Sequence, residues 1–304
     1  MVGQLVQRLL LMNEQENREN IPSIEYTEEL SHLLPYLSPR EIDLLNPPLR
    51  LKDNNDAIDI KEELEALGFV RFPGGKVLMG NESGLPCSIE GERRNETPPR
   101  IIEVPPFYIA KNTITNVEFE QFDTNHTRTN TSMGDRNPVT CITYGRAISY
   151  VKWLNRETGL SFCLPTEPQY VAAVAPYGWQ YPYSEGDHPR RGGQNHYRAF
   201  PDKYPSGESS ATLEVDDDPI PYSYLGLNHP TGNVSIFSFG HYPTVGHWGS
   251  NTDGSYVVVL GGNFRLCPFG TRSVTRGIVD VTAISDTIGI RLVHPDPEYL
   301  VGEL

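Results

Sequence analysis

The chain has 304 residues and a net charge of −14 at neutral pH, with 25 Lys and Arg against 39 Asp and Glu. That balance excludes a basic stripe for phosphates, and with it nucleic acid as a partner. No run approaches the ~20 apolar residues of a membrane span, so no membrane partner is expected. With 27 Gly and 26 Pro, the chain is expected to be rich in turns around a compact core.

In chain order, the first residues, MVGQLVQRLLLMNEQENREN, carry too short and too interrupted an apolar run for a secretion signal. Cys87, Cys141, Cys163 and Cys267 are widely spaced and match no metal pattern. A cytoplasmic protein with reduced thiols is therefore expected. Residues 1–68 read as short helices: Leu5, Val6, Leu9 and Leu10 recur at helical spacing. Ser38-Pro39-Arg40-Glu41 is a capping box, and DAIDIKEELEAL (56–67) is amphipathic with Gly68 as its stop. This part is expected to be an accessory extension or an element that docks to a partner, not a second enzyme.

The character changes at Phe69. FVRFPGGKVLMG predicts two short strands around a Pro-Gly-Gly turn, and RIIEVPPFYIAKNTIT reads as strand. Thr115-Asn-Val-Glu118 opens a helix to about Asp123, and Tyr144–Thr158 is a helix stopped by Gly159. Thr166-Glu-Pro-Gln169 caps a short helix that Pro176 ends. From Trp179 to Asn251 almost nothing reads as regular. Tyr256–Leu260 is a buried strand, Gly261-Gly262 a kink, and Thr287–Val293 a last strand.

These pieces, in this order, resemble the formylglycine-generating enzyme family, also called sulfatase-modifying factors. The matching stretches are Val77-Leu78-Met79-Gly80, Phe107-Tyr108-Ile109 with Glu118-Phe119, Asn137-Pro138-Val139 with Trp153-Leu154, and Leu164-Pro165-Thr166-Glu167. Tyr181-Pro182, Gly232-Asn233-Val234, Gly261-Gly262, Arg272, Arg276 and Ile288-Gly289-Ile290-Arg291 complete the series. The resemblance implies an α+β, C-type-lectin-like fold over 69–297: a small twisted mixed sheet, flanking helices and much coil, with 298–304 as a tail. In the family the coil is often pinned by calcium. That makes calcium the metal to look for here, with Asn195, Asp216 and Asn233 as candidate ligands.

The departures bear on function. The family's oxidation uses a cysteine pair near its last motif block. Here Ser273 stands at the cysteine position of the "Y-R-C-A-A-R" stretch, and Cys267 lies a few residues upstream. A hydroxyl is a poor copper ligand beside a thiolate, so copper, iron and the formylglycine reaction are not expected. Ile236 replaces a Glu of the calcium-binding "G-N-V-W-E-W" motif, which also weakens the case for that ion. The catalytic candidates reduce to Cys267, Ser273 and His247. Arg272, Arg276 and Arg291 are expected to brace the coil rather than clamp a ligand.

Some relatives, the variable proteins of diversity-generating retroelements, use the segment between the Gly-Gly kink and the last strand as a binding surface. By that resemblance the contact residues for a protein or small-molecule ligand are Asn263, Phe264, Arg265, Leu266, Phe269, Thr271, Val274, Thr275, Ile278, Asp280, Thr282 and Ile284. The alternative is a metal- and oxygen-dependent oxidoreductase of altered specificity, acting on a peptide or small-molecule precursor.

Overall fold

The structure is a computed structural model. It describes residues 54–80, 96, 99–175, 211–217, 223–239, 256–266 and 268–302. The N-terminal extension up to residue 53, Cys87, Asn195, His247, Cys267 and Tyr181-Pro182 lie outside the described residues.

Helix α1, Asn54–Ala66, opens the described chain. Gly68 stops it in the left-handed region, at φ +80°. Its Ala57 and Leu64 are buried, so this helix is part of the packed unit. The Pro-Gly-Gly turn separates β1 (Phe69–Phe72) from β2 (Gly75–Met79), but the two do not pair with each other. The single strand expected after them is two, β3 (Arg100–Val104) and β4 (Phe107–Ala110). Pro105-Pro106 lies between them, and proline cannot donate to a ladder. β3 pairs with β2, and β4 pairs with β1 and later with β9 (Val293–Pro295).

Three helices follow as their caps predict. In α2 (Asn116–Phe122) and α4 (Glu167–Val174), Thr115 and Thr166 form full capping boxes with Glu118 and Gln169. In α3 (Tyr144–Thr158), Thr143 caps the start and Gly159, at φ +73°, the end. The third sheet has the order β7-β6-β5-β8, built from β7 (Arg276–Asp280), β6 (Tyr256–Leu260), β5 (Ser235–Phe237) and β8 (Ile288–Gly289). The β5–β8 pair is parallel and the others antiparallel, which makes the sheet mixed. The last strand expected over 287–293 is broken into β8 and β9. A short helix α5, Pro297–Gly302, ends the described chain.

This sheet is buried on both faces. Val257 and Val259 join a core with α3, Phe119, Phe162 and Ile290, while Val258 and Leu260 join a second core with α4, Phe107 and Val77. The architecture is the α+β arrangement of small sheets, flanking helices and long coil that the sequence implies.

Candidate functional site

The segment from Asn263 to Thr287 divides into an inward and an outward half. The kink that starts it is forced: Gly261 and Gly262 have φ of +80° and +66°, and a Cβ on Gly262 would stand 1.9 Å from Gly270 O. Beyond the kink, Phe264 is fully buried, and Asn263 donates to Ser235 Oγ at 3.1 Å. Thr271, Ser273 and Val274 are also sealed from solvent. Asn263, Phe264, Thr271 and Val274 are thus core residues, not ligand contacts, because their side chains pack beneath the surface they were expected to form. Phe269 falls in the 3-10 turn Pro268–Thr271.

The outward half carries Arg265, Leu266, Asp280, Thr282 and Ile284, all exposed, with Thr275 and Ile278 half-buried. Arg265 lies over the Phe264 ring and pairs with Asp286 at 2.5 Å. Asp286 also accepts from Thr131 at 3.0 Å. Thr131 therefore adjoins this surface, a contribution sequence reasoning missed because nothing local marks it.

Ser273 is 1% exposed, and its Oγ has no hydrogen-bond partner. Among the described residues no base stands beside this sealed hydroxyl, which argues against Ser273 as a nucleophile.

The three arginines hold the fold, in two ways. Arg291 is fully buried and donates to four carbonyls: Ala110 (2.8 Å), Lys111 (2.5 Å), Asn228 (2.7 Å) and His229 (3.0 Å). Arg272 makes a bidentate pair with Glu96 at 2.6 and 2.7 Å, and Arg276 pairs with Glu167 at 2.8 Å. Burial pushes the Glu167 carboxyl up while Arg276 pulls it down. Burial is the larger effect, so the carboxyl is held above its ordinary range even with Arg276 at 2.8 Å. Around it, Met79, Gly80, Glu96, Glu167, Val171, Val274 and Arg276 line a small pocket with room for about one water molecule.

Two of the three calcium candidates, Asn233 and Asp216, have protein partners; Asn195 lies outside the described residues. Both ends of the Asn233 amide bond the backbone of Leu213, at 2.9 and 3.2 Å. Asp216 is paired with Arg136, a cation already in the place an ion would take. Ile236 is buried in the core. These residues do not fit a calcium ion; they pin the 211–217 coil by side-chain bonds instead. Among the described residues, no cluster of three or more His, Cys, Asp or Glu is placed to hold a metal. No described helix is long and apolar enough to cross a membrane.

Comparison with known proteins fits this geometry. The family model for the sulfatase-modifying factor enzyme 1-like domain matches residues 56–295. The chain belongs to the sulfatase-modifying factor, or formylglycine-generating enzyme, family. Three solved structures share its fold. PvdO from Pseudomonas aeruginosa is 20% identical with a TM-score of 0.58, covering 75% of this chain and 94% of its own. Treponema denticola variable protein 1 is 14% identical with a TM-score of 0.60, covering 74% and 94%. CarF is 16% identical with a TM-score of 0.54, covering 75% and 98%. No curated protein matches the sequence.

Proposed function

We propose that this chain is a binding member of its family, taking a protein or small-molecule ligand on the outward half of the 263–287 segment, and that it no longer carries out the family's cysteine chemistry. One observation carries the reading. The serine at the cysteine position is sealed and unpartnered, while five residues of the same segment, Arg265, Leu266, Asp280, Thr282 and Ile284, stand exposed. Exposed apolar groups around a stacked arginine are the usual anchors of a recognition surface.

The experiment is a peptide-display selection against the whole chain, with hits measured by interferometry against wild type and the double variant Leu266→Ala/Ile284→Asp. The expected result is at least a tenfold loss of affinity in the double variant. Hits that bind both proteins equally would place recognition elsewhere. The oxidoreductase reading has its own readout: about one copper or iron per chain, with oxygen consumption, both lost in Cys267→Ser or His247→Ala. That outcome would replace the binding reading. Whether the segment is diversified is a genomic question, answered by a near-copy of its coding sequence beside a reverse transcriptase gene.

A further inference from the structure

Among the described residues the four-stranded sheet ends on β7, and its register fixes which backbone groups are used. Gly261 N donates to Thr275 O at 3.1 Å, and these residues stand opposite each other one step beyond the β6–β7 register. Bonded and non-bonded pairs alternate along an antiparallel ladder. Gly277 and Val279 therefore face β6, whereas Arg276, Ile278 and Asp280 turn their N–H and C=O groups away from it. The other side of β6 agrees. Ser238 N donates to Val258 O at 2.9 Å, so Val258 and Leu260 serve β5, leaving Val257 and Val259 for β7.

At this outer edge, the Asp280 carbonyl accepts from Ala283 N at 2.9 Å. Among the described residues, nothing bonds the outward N–H or C=O of Ile278. Sheet edges are normally blunted by proline, lysine, a bulge or a covering element, and the strand Arg-Gly-Ile-Val-Asp has no proline or lysine. At its end the Asp280 carboxylate is exposed. It accepts from Thr282 N and Oγ1, at 2.8 and 2.6 Å, and makes no ion pair among the described residues.

We propose that β7 is a docking edge, to which an extended segment of a basic partner protein adds as a further strand. This rests on the contact-surface reading above and specifies the class of ligand. The backbone of Ile278 offers one donor and one acceptor to such a strand. The half-buried Ile278 side chain favours a β-branched neighbour, and the unpaired Asp280 carboxylate favours Lys or Arg beside it. The chain's net charge of −14 attracts a cationic partner and repels a second copy of itself.

The test uses the full chain and a synthetic decapeptide of alternating Lys and Val. Ile278→Pro removes the outward N–H and leaves the β6 ladder intact, at a kind of position where an edge strand accommodates proline. Ile278→Val preserves the edge. We expect submillimolar binding to wild type and Ile278→Val, at least tenfold weaker binding to Ile278→Pro, and weaker binding to Asp280→Asn. If Ile278→Pro does not fold, hydrogen exchange on wild type decides: the Ile278 amide should exchange freely alone and slow at least tenfold with peptide. No binding at about 1 mM, or no protection of that amide, would overturn the proposal. Binding lost in Leu266→Ala/Ile284→Asp but unchanged in Ile278→Pro would overturn strand addition and leave the contact surface standing. Dimers in sedimentation equilibrium that Ile278→Pro abolishes would give the edge to a second copy and overturn the partner assignment.

Discussion

Ser273 and His294 are buried polar groups whose cost can be measured. The Ser273 hydroxyl gave up water on folding and gained no partner, so deleting it should not hurt. Ser273→Ala is expected to leave stability unchanged or raise it by up to about 1 kcal/mol, read as the urea midpoint. A loss of more than that would mean the hydroxyl has a role. His294 is 1% exposed, and burial pulls its imidazole down to about 4 from the ordinary 6.5. Its Nδ1 lies 2.6 Å from the Pro295 carbonyl, which fixes the neutral ring with the proton on that nitrogen. Above pH 6.5 both folded and unfolded chains hold this ring neutral, and it has no effect. Below 6.5 the unfolded chain takes up a proton that the folded chain refuses until about pH 4. Stability should therefore fall with pH across that window, by up to about 1.4 kcal/mol per pH unit. In His294→Gln the slope of urea midpoint against pH should be shallower; equal slopes would contradict this account.

Among elements, the Gly-Gly kink is the least replaceable. An alanine at Gly262 would be strained at φ +66° and would drive its Cβ into the Gly270 carbonyl. Gly262→Ala is expected to cost about 3 kcal/mol or more, or to prevent folding. Gly68→Ala, with φ +80° but open space around the new Cβ, should cost only about 1 kcal/mol by the same denaturation measurement. The kink was legible from sequence, as were α2, α3 and α4, because each carries its own local signal: a hydroxyl cap, an acid or amide three residues on, or a glycine stop. The shortest strands were less so: β5, of three residues, was missed, and β8, of two, was read only as the start of a longer strand. Both are too short for a period and are strands because Val259, Leu260 and each other's backbones lie alongside. Within the candidate segment, the kink glycines that bound it were legible, but which of its residues point inward was not, because that is decided by neighbours such as Ser235 and Thr131 that are distant in sequence.

The molecule as a whole is stitched by ion pairs that no local pattern reveals. Glu96 sits in a polar stretch that reads as surface, yet it is 8% exposed and holds Arg272 from 176 positions away. Removing either partner leaves a buried charge, so Glu96→Leu and Arg272→Met should each cost about 3–5 kcal/mol, while the double variant should cost clearly less than their sum. Additive losses in a denaturation-based double-mutant cycle would mean that the pair does not act as a unit.

The carbonyl cage around Arg291 has a consequence for how the polypeptide could be divided. Its acceptors come from residues 110–111 and 228–229. β4 from the first part of the chain pairs with β9 from the last, and Glu96–Arg272 and Glu167–Arg276 span the same gap. A protease site engineered between Ala175 and Ala211 would therefore cut a covalent thread that the Arg291 bonds to Ala110 and Lys111, the β4–β9 pairing and both ion pairs bridge. The two pieces should stay together through gel filtration after cleavage and separate only in denaturant, as a two-part assembly made from one gene. Arg291→Ala, which empties the cage, should loosen that assembly well before it abolishes the folding of the uncut chain.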